Sequence, residues 1–449
     1  MMKWIASAAF GMEGMTGRDL KRLGMQNVRV MDIGGAMFEG SFEDAFRANL
    51  WLRTCDRILL VMGQFKATTY EELFQGIKKI EWKKFLPEDA RFPIRAKCVK
   101  STLMSPSDVQ KISKRAMVER MKSTYGLDWF DETGALFQID ISIRDDMVTV
   151  CMDSSGDALS KRGYRTWNGE APIRETLAAA LILQSGWHPW QRLYDPCCGT
   201  GTLLVEAAFI ALGRAPGLTR AFAMESWPCV PHEELRKIRT EAKLKYEEAS
   251  KREIRICGSD IDPEAIELAR RHVKQAGLAG RIELEVKDLR DVTLSGEPGV
   301  FVCNPPYGER LDNIRAAHAV ARQLGKLQER NPGWSLCAFS ADMGFEREYG
   351  RRATRRRRYY NGRIECEYHI FEPGKPEEAR KRATIRAETA PNTTPRTRNA
   401  PSNEVQINET DLQQGSADAE HPLSAADGFH PPGGLAAGRN SRPGRGHHP

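Results

Sequence analysis

Residues 194–202 read Tyr-Asp-Pro-Cys-Cys-Gly-Thr-Gly-Thr and run directly into an apolar stretch, 203–212, broken only by Glu206. That order specifies a strand end, a tight glycine turn and the first turn of a helix. Gly199 and Gly201 let the backbone bend sharply and let a ligand approach the main chain, and the unpaired N–H groups at the helix start attract polar or anionic atoms. Asp195 stands just before the turn, where its carboxylate repels a phosphate and attracts an amine or ammonium. The turn therefore speaks against ATP and NAD. A glycine pair by itself also fits a plain strand-to-helix loop, so the reading depends on what surrounds it.

From Gln191 onward strands and helices alternate, the pattern of a parallel sheet covered by helices on both faces. Strands are expected at 192–195, 254–260, 282–286, 300–304 and 335–340, helices at 202–212, 263–277 and 313–329, and a closing strand pair at 355–360 and 365–371. Residues 214–252, rich in Glu, Lys and Arg, read as an exposed helical extension. In open parallel sheets ligands bind beyond the carboxyl ends of the strands. Three further segments fall there. Asp260, followed by Ile261-Asp262-Pro263, can accept from the two hydroxyls of a ribose, and Asp288 can accept from an adenine amino group. Asn304-Pro305-Pro306-Tyr307-Gly308 is the most specific of the three. Its prolines remove backbone donors and fix an extended turn, leaving carbonyls turned outward. An exocyclic amine could donate to the Asn304 oxygen and the Pro305 carbonyl while a base stacks on Tyr307.

The front half reads as two α+β units. Strands at 3–9, 28–32 and 57–64 with helices at 14–23 and 40–50 form the first. A helix at 70–78, a strand at 92–100, a basic helix at 109–125 capped by Ser107 and Asp108, and strands at 136–144 and 146–153 form the second. The basic helix carries Lys114 and Arg115, the junction after residue 153 carries Lys161, Arg162, Tyr164 and Arg165, and residues 351–362 include Arg355 and Arg356 among the densest cluster of arginines. Basic residues interleaved with aromatics suit RNA phosphates and stacked bases, and each run also fits a solvated charged face. The net charge of +7 and pI near 8.8 permit a nucleic-acid partner. The ten cysteines show no Cys-x-x-Cys spacing, so neither zinc nor a disulfide framework is expected, and no apolar run reaches the roughly 20 residues of a membrane span. A cytoplasmic location is expected, and residues beyond Pro373 read as disordered.

Residues 195–202, 260–263, 288 and 304–307 resemble the motifs of class I S-adenosylmethionine-dependent methyltransferases that act on amino nitrogens. The front half resembles a ferredoxin-like unit followed by a THUMP domain, an RNA-binding module. Residues 159–177 resemble the bridge between THUMP and catalytic domains in ribosomal RNA guanine-N2 methyltransferases. Taken together, residues 3–371 are similar to a bacterial 23S ribosomal RNA guanine-N2 methyltransferase. The resemblance implies an α/β fold with a Rossmann-like, seven-stranded, mostly parallel sheet behind α+β domains, divided as 1–66, 67–155, 156–374 and a tail at 375–449. It implies S-adenosylmethionine as cofactor, held by Asp195, Cys197, Gly199, Thr200, Gly201, Asp260, Ile261 and Asp288. Asn304, Pro305, Pro306 and Tyr307 would receive the target amine without a metal. Long bifunctional relatives carry a second methyltransferase domain, so their second modification is not expected here. DNA adenine N6, protein glutamine N5 and transfer-RNA guanine methylation remain alternatives within the chemistry. A non-catalytic RNA-binding assembly factor and an NAD-linked oxidoreductase remain alternatives outside it.

Overall fold

The computed structural model describes residues 1–126, 128–165, 173–307 and 311–373. The tail read as disordered, Pro172 and Gly308 lie outside the described residues. Two seven-stranded sheets organise the chain.

The front sheet is built from β1 (Met2–Ser7), α1 (Glu13–Arg22), β2 (Gln26–Val30), β3 (Gly35–Gly40), α2 (Phe42–Trp51), β4 (Arg57–Lys66), α3 (Tyr70–Lys78), β5 (Ile94–Val99), α4 (Pro106–Tyr125), β6 (Ile139–Arg144) and β7 (Met147–Asp153). Local chemistry fixes the helix starts. Ser41 with Asp44 and Thr69 with Glu72 form capping boxes. α4 starts two to three residues earlier than the sequence reading, because Ser105 is its cap, accepting from the Asp108 N–H, with Pro106 in the first turn. β3 was not foreseen. At Gly35 a Cβ would stand 2.0 Å from the Ala6 carbonyl, so glycine is what lets β3 lie beside β1. The strand order β2-β3-β1-β4-β7-β6-β5 makes one continuous sheet through both α+β units. The ten-residue β4 is the join: residues 57–60 pair with β1 and residues 59–66 with β7, with a bulge between Val61 and Gly63.

The second sheet comprises β8 (Arg192–Asp195), β9 (Ile256–Asp260), β10 (Ile282–Val286), β11 (Gly299–Cys303), β12 (Ser335–Ser340), β13 (Arg355–Asn361) and β14 (Ile364–Phe371). Its helices are α5 (Glu175–Gln184), α6 (Thr202–Ala211), α7 (His232–Ala249), α8 (Pro263–Gln275), α9 (Leu311–Arg330) and the short α10 (Phe345–Tyr349). The order is β10-β9-β8-β11-β12-β14-β13. The first five strands are mutually parallel, β14 runs antiparallel to them, and β13, antiparallel to β14, runs with the five again, a mostly parallel Rossmann-like sheet. β11 is buried along its whole length, as a central strand under helices on both faces must be.

The charged insertion is not an exposed extension. Leu235, Ile238 and Ala242 of α7, with Phe222, Met224, Trp227 and Val230 before it, belong to the apolar core of the front sheet. Trp227 stacks on Phe137 at 5.3 Å and donates its indole N–H to the Leu136 carbonyl at 3.1 Å, while Phe222 meets Phe46 edge-on. Burying residues such as Phe222, Leu235 and Ile238 favours the docked state by roughly 1.5–3 kcal/mol each before entropic costs. The exchange runs both ways. Ala8, Met12 and Met15 from the front half join the core of the second sheet, Gly11 sits against Arg358 and Tyr359, and Phe10 packs edge-on to Tyr360 at 5.6 Å. Among the described residues no helix is long and apolar enough to cross a membrane.

Candidate active site

The parallel register brings the carboxyl ends of β8, β9, β10 and β11 to one edge. β8 delivers Asp195, which is 1% exposed. Its carboxylate accepts from the Cys197 N–H at 3.1 Å, which is little compensation for a buried charge. Burial therefore pushes the Asp195 carboxyl well above the usual range; the Cys197 N–H opposes this and the Asp260 charge adds to it. The turn that follows is held from three sides. Gly201, at φ +80, takes the left-handed conformation at the start of α6, and a Cβ there would press to 3.2 Å on Ala269 of α8. The Cys198 N–H donates to the Ser259 carbonyl at 3.0 Å, and His272, fully buried on α8, has Nδ1 3.0 Å from the Thr200 carbonyl. A Cβ at Gly199 would meet nothing within 4 Å, so the space above the turn is open.

Asp260 ties the second strand end to the first. Its carboxylate accepts the Gly199 N–H at 2.8 Å and the Asp262 N–H at 3.1 Å. Ile261, next in the chain, is 67% exposed. Asp288 follows β10 and is gripped by Arg290, which holds its carboxyl below the usual range. The Cys197 thiol is pushed well up, first by burial and then by the charges of Asp195, Asp260 and Asp288. Three acidic side chains thus stand near one thiol, an arrangement that offers acceptors to an amine and disfavours phosphate.

At the end of β11, Asn304 is half-buried and Pro305 buried. The Tyr307 hydroxyl donates to the Asn304 side-chain oxygen, and the Tyr307 ring stands edge-on to Phe339 at 6.1 Å. The residues expected to hold cofactor and amine therefore share one edge. His272, Ser259, Tyr194 and Arg290 were not anticipated. Tyr194 donates to the Ser259 hydroxyl at 3.0 Å, bracing β8 against β9. Only Arg290 carried a sequence signal, its position two residues after Asp288.

The basic residues expected at RNA are scattered, and several have other partners. Lys114 donates to the Phe92 carbonyl at 3.2 Å, pairs with Glu132 and lies 3.6 Å above the Phe92 ring. Arg162, 3% exposed, donates to the Arg53 and Leu159 carbonyls and lies 3.5 Å from buried Glu206, to which Tyr164 also donates. Arg165 donates to the Ile173 carbonyl at 3.0 Å and pairs with Glu175 at 3.4 Å. These bonds fasten the linker to α5 and α6, so Arg162 and Arg165 are turned inward and not toward a phosphate backbone. Arg115, Lys161, Arg355 and Arg356 are at the surface, with acidic partners Glu119, Asp157, Glu372 and Glu367 respectively.

Residues 3–59 match the RlmL ferredoxin-like domain, 67–153 the THUMP domain and 162–370 the RMKL-like methyltransferase domain. YpsC of Bacillus subtilis (strain 168), provisionally named an RNA methyltransferase, is 40% identical over 371 residues, covering 82% of this chain and 95% of the relative. The crystal structure of SMU.472, provisionally a methyltransferase and complexed with SAH, has a TM-score of 0.79 at 36% identity, covering 83% of this chain and 98% of that one. The Ribosomal RNA large subunit methyltransferase K/L of Methylococcus capsulatus (strain ATCC 33009 / NCIMB 11132 / Bath) is 34% identical over 381 residues, covering 82% of this chain. This chain spans 51% of that relative's length.

Proposed function

This chain belongs to the RMKL-like methyltransferase family and uses S-adenosylmethionine, and on that footing we propose that it methylates the N2 amine of a guanine in 23S ribosomal RNA. The observation that carries the reading is the half-buried Asn304-Pro305-Pro306-Tyr307 turn at the same sheet edge as Asp195, Asp260 and Asp288. The THUMP match over residues 67–153 supports RNA over DNA or protein as substrate, and the relative named for large-subunit ribosomal RNA supports the ribosomal target. The domain division is proposed at 1–66, 67–155 and 156–374.

The residues present fit the cofactor: open space above Gly199, a buried carboxyl with a backbone donor, and the Asp195, Asp260 and Asp288 carboxyls at one sheet edge. When bound, S-adenosylmethionine supplies an electrophilic methyl group on a positively charged sulfur. In this reading the 195–201 turn, with Cys197 and Thr200, would hold the methionine side, with Asp195 toward its ammonium. Asp260 would accept from the ribose, Asp288 from the adenine amine, and Ile261 would cover apolar surface of the cofactor. Asn304 and the Pro305 carbonyl would accept the two hydrogens of the guanine amine and so fix the direction of its lone pair. Pro306 keeps the turn rigid and Tyr307 stacks on the base, offsetting a few kcal/mol of unstacking if the guanine is paired. Catalysis then rests on alignment and proximity and needs no metal.

Mapping N2-methylguanosine in ribosomal and transfer RNA from a deletion strain tests the proposal. Loss of one mark in 23S RNA is the expected result. Loss from transfer RNA alone would move the substrate, and no loss from either would leave the binding-factor reading in its place.

A further inference from the structure

Asp288, given the adenine amine in the reading above, is already engaged through both oxygens by its own chain. One carboxylate oxygen accepts the Arg290 backbone N–H at 2.8 Å and its Nε–H at 3.0 Å. The other accepts Nε–H at 3.0 Å and Nη2–H at 2.6 Å. The single Nε–H is shared between the two oxygens, so three hydrogens meet the roughly four lone-pair positions of an ionised carboxylate, and the guanidinium spans both oxygens that an incoming amine would compete for. The two side chains are not equally fixed: that of Asp288 is 19% exposed and that of Arg290 67%. The backbone bond keeps the carboxylate oriented whatever the side chain of residue 290 does, whereas the guanidinium can swing into water at the small cost of an exposed ion pair.

We propose that Arg290 is a gate on the adenine end of the cofactor site, its guanidinium occupying Asp288 in the empty protein and leaving when the exocyclic amine arrives. Arg290 thereby sets cofactor affinity and competes only with ligands that carry hydrogens at the purine 6-position. The inference rests on the assignment of Asp288 to that amine. Arg290 is a positioning residue, since it acts through Asp288 and not on the reacting atoms.

The test is calorimetric titration of the full chain with S-adenosylhomocysteine and with its 6-oxo counterpart, S-inosylhomocysteine. Wild type, Arg290→Ala, Arg290→Lys and Asp288→Ala are compared at low and high salt. Removing an exposed competing pair is expected to tighten S-adenosylhomocysteine about threefold in Arg290→Ala, with Arg290→Lys between it and wild type. High salt screens the pair, so wild type tightens with salt relative to Arg290→Ala. The 6-oxo ligand, which has an acceptor in place of hydrogens at its 6-position, is not tightened by Arg290→Ala. Equal or weaker binding of S-adenosylhomocysteine by Arg290→Ala, with Asp288→Ala still weakened, overturns the gate and leaves the Asp288 assignment standing. An Asp288→Ala protein that binds both ligands as wild type does overturns the assignment itself.

Discussion

Replacing Gly11 by alanine tests whether the two halves are locked together where the first turn of the chain meets β13. Gly11 has φ +88, and a Cβ there would stand 2.6 Å from the Arg358 carbonyl oxygen and 3.0 Å from a ring carbon of Tyr359. Gly24, at φ +79, is the control, since its Cβ would meet nothing within 4 Å. Both variants force an L-residue into the left-handed region, which costs roughly 1–2 kcal/mol. Only Gly11→Ala adds overpacking against a main-chain oxygen that cannot rotate away, about 1–3 kcal/mol more. Gly24→Ala should therefore lose about 1–2 kcal/mol and Gly11→Ala about 2–5 kcal/mol, read as urea midpoints with unchanged slopes. Both should bind S-adenosylhomocysteine normally, because a Cβ at either glycine meets no residue of the 195–201 turn, while Gly11→Ala should lose activity on RNA. Coincident midpoints for the two variants would show that the turn after β1 is not packed on β13, and the docking described above would fall.

Asn304→Ala should retain S-adenosylhomocysteine affinity and lower methyl transfer about 100-fold or more, measured with labelled cofactor, since one aligned acceptor is removed. Asp195 has a folded pKa raised above its unfolded value of about 3.9, so its contribution to stability is complete below that value and is lost as pH rises through the folded pKa. Asp195→Asn should accordingly melt higher than wild type without cofactor, by a margin that grows from pH 4 to pH 8, and should bind S-adenosylhomocysteine about 10- to 100-fold more weakly through loss of a charge-assisted hydrogen bond. A margin independent of pH would contradict the buried-carboxylate account. Arg357, exposed on β13 and without an ion pair among the described residues, should lower the salt dependence of RNA binding by about one unit when changed to alanine. Arg162→Ala should instead destabilise the fold, and a shift in salt slope for that variant would return it to the RNA surface.

The catalytic sheet was legible because its signals are local. Glycines, prolines and carboxylates at strand ends mark turns wherever they occur, and β8, β10 and β12 stand at the residues expected. What the sequence hid depends on partners far along the chain. The spacing of Leu235, Ile238 and Ala242, three and four apart, is a helical apolar stripe, but it lies among so many charges that it read as solvated. Arginine composition says nothing of direction. Arg162 points at Glu206, 44 residues away in sequence, and only the packed structure pairs them. The arginines of β13 look unopposed until the register sets Arg356 near Glu367 and Arg358 near Glu365, diagonal neighbours across the hairpin. Asp260 was read as a ribose acceptor, and its second task, gripping the Gly199 N–H, needs the parallel pairing of β8 with β9 to be visible.

Within residues 1–373 the exchange of side chains between the two sheets fixes them like a caliper. One jaw is the front sheet, continuous through β4, and the other is the edge of the second sheet that carries Asn304. With Trp227 sunk in one interior and Met12 in the other, the jaws cannot open or close without exposing both cores. On the proposal that the front sheet grips RNA, a target base one helical turn too near or too far would not reach the turn after β11. Selection among chemically identical bases would then be a matter of span, set by rigid framework and not by letters read in the pocket.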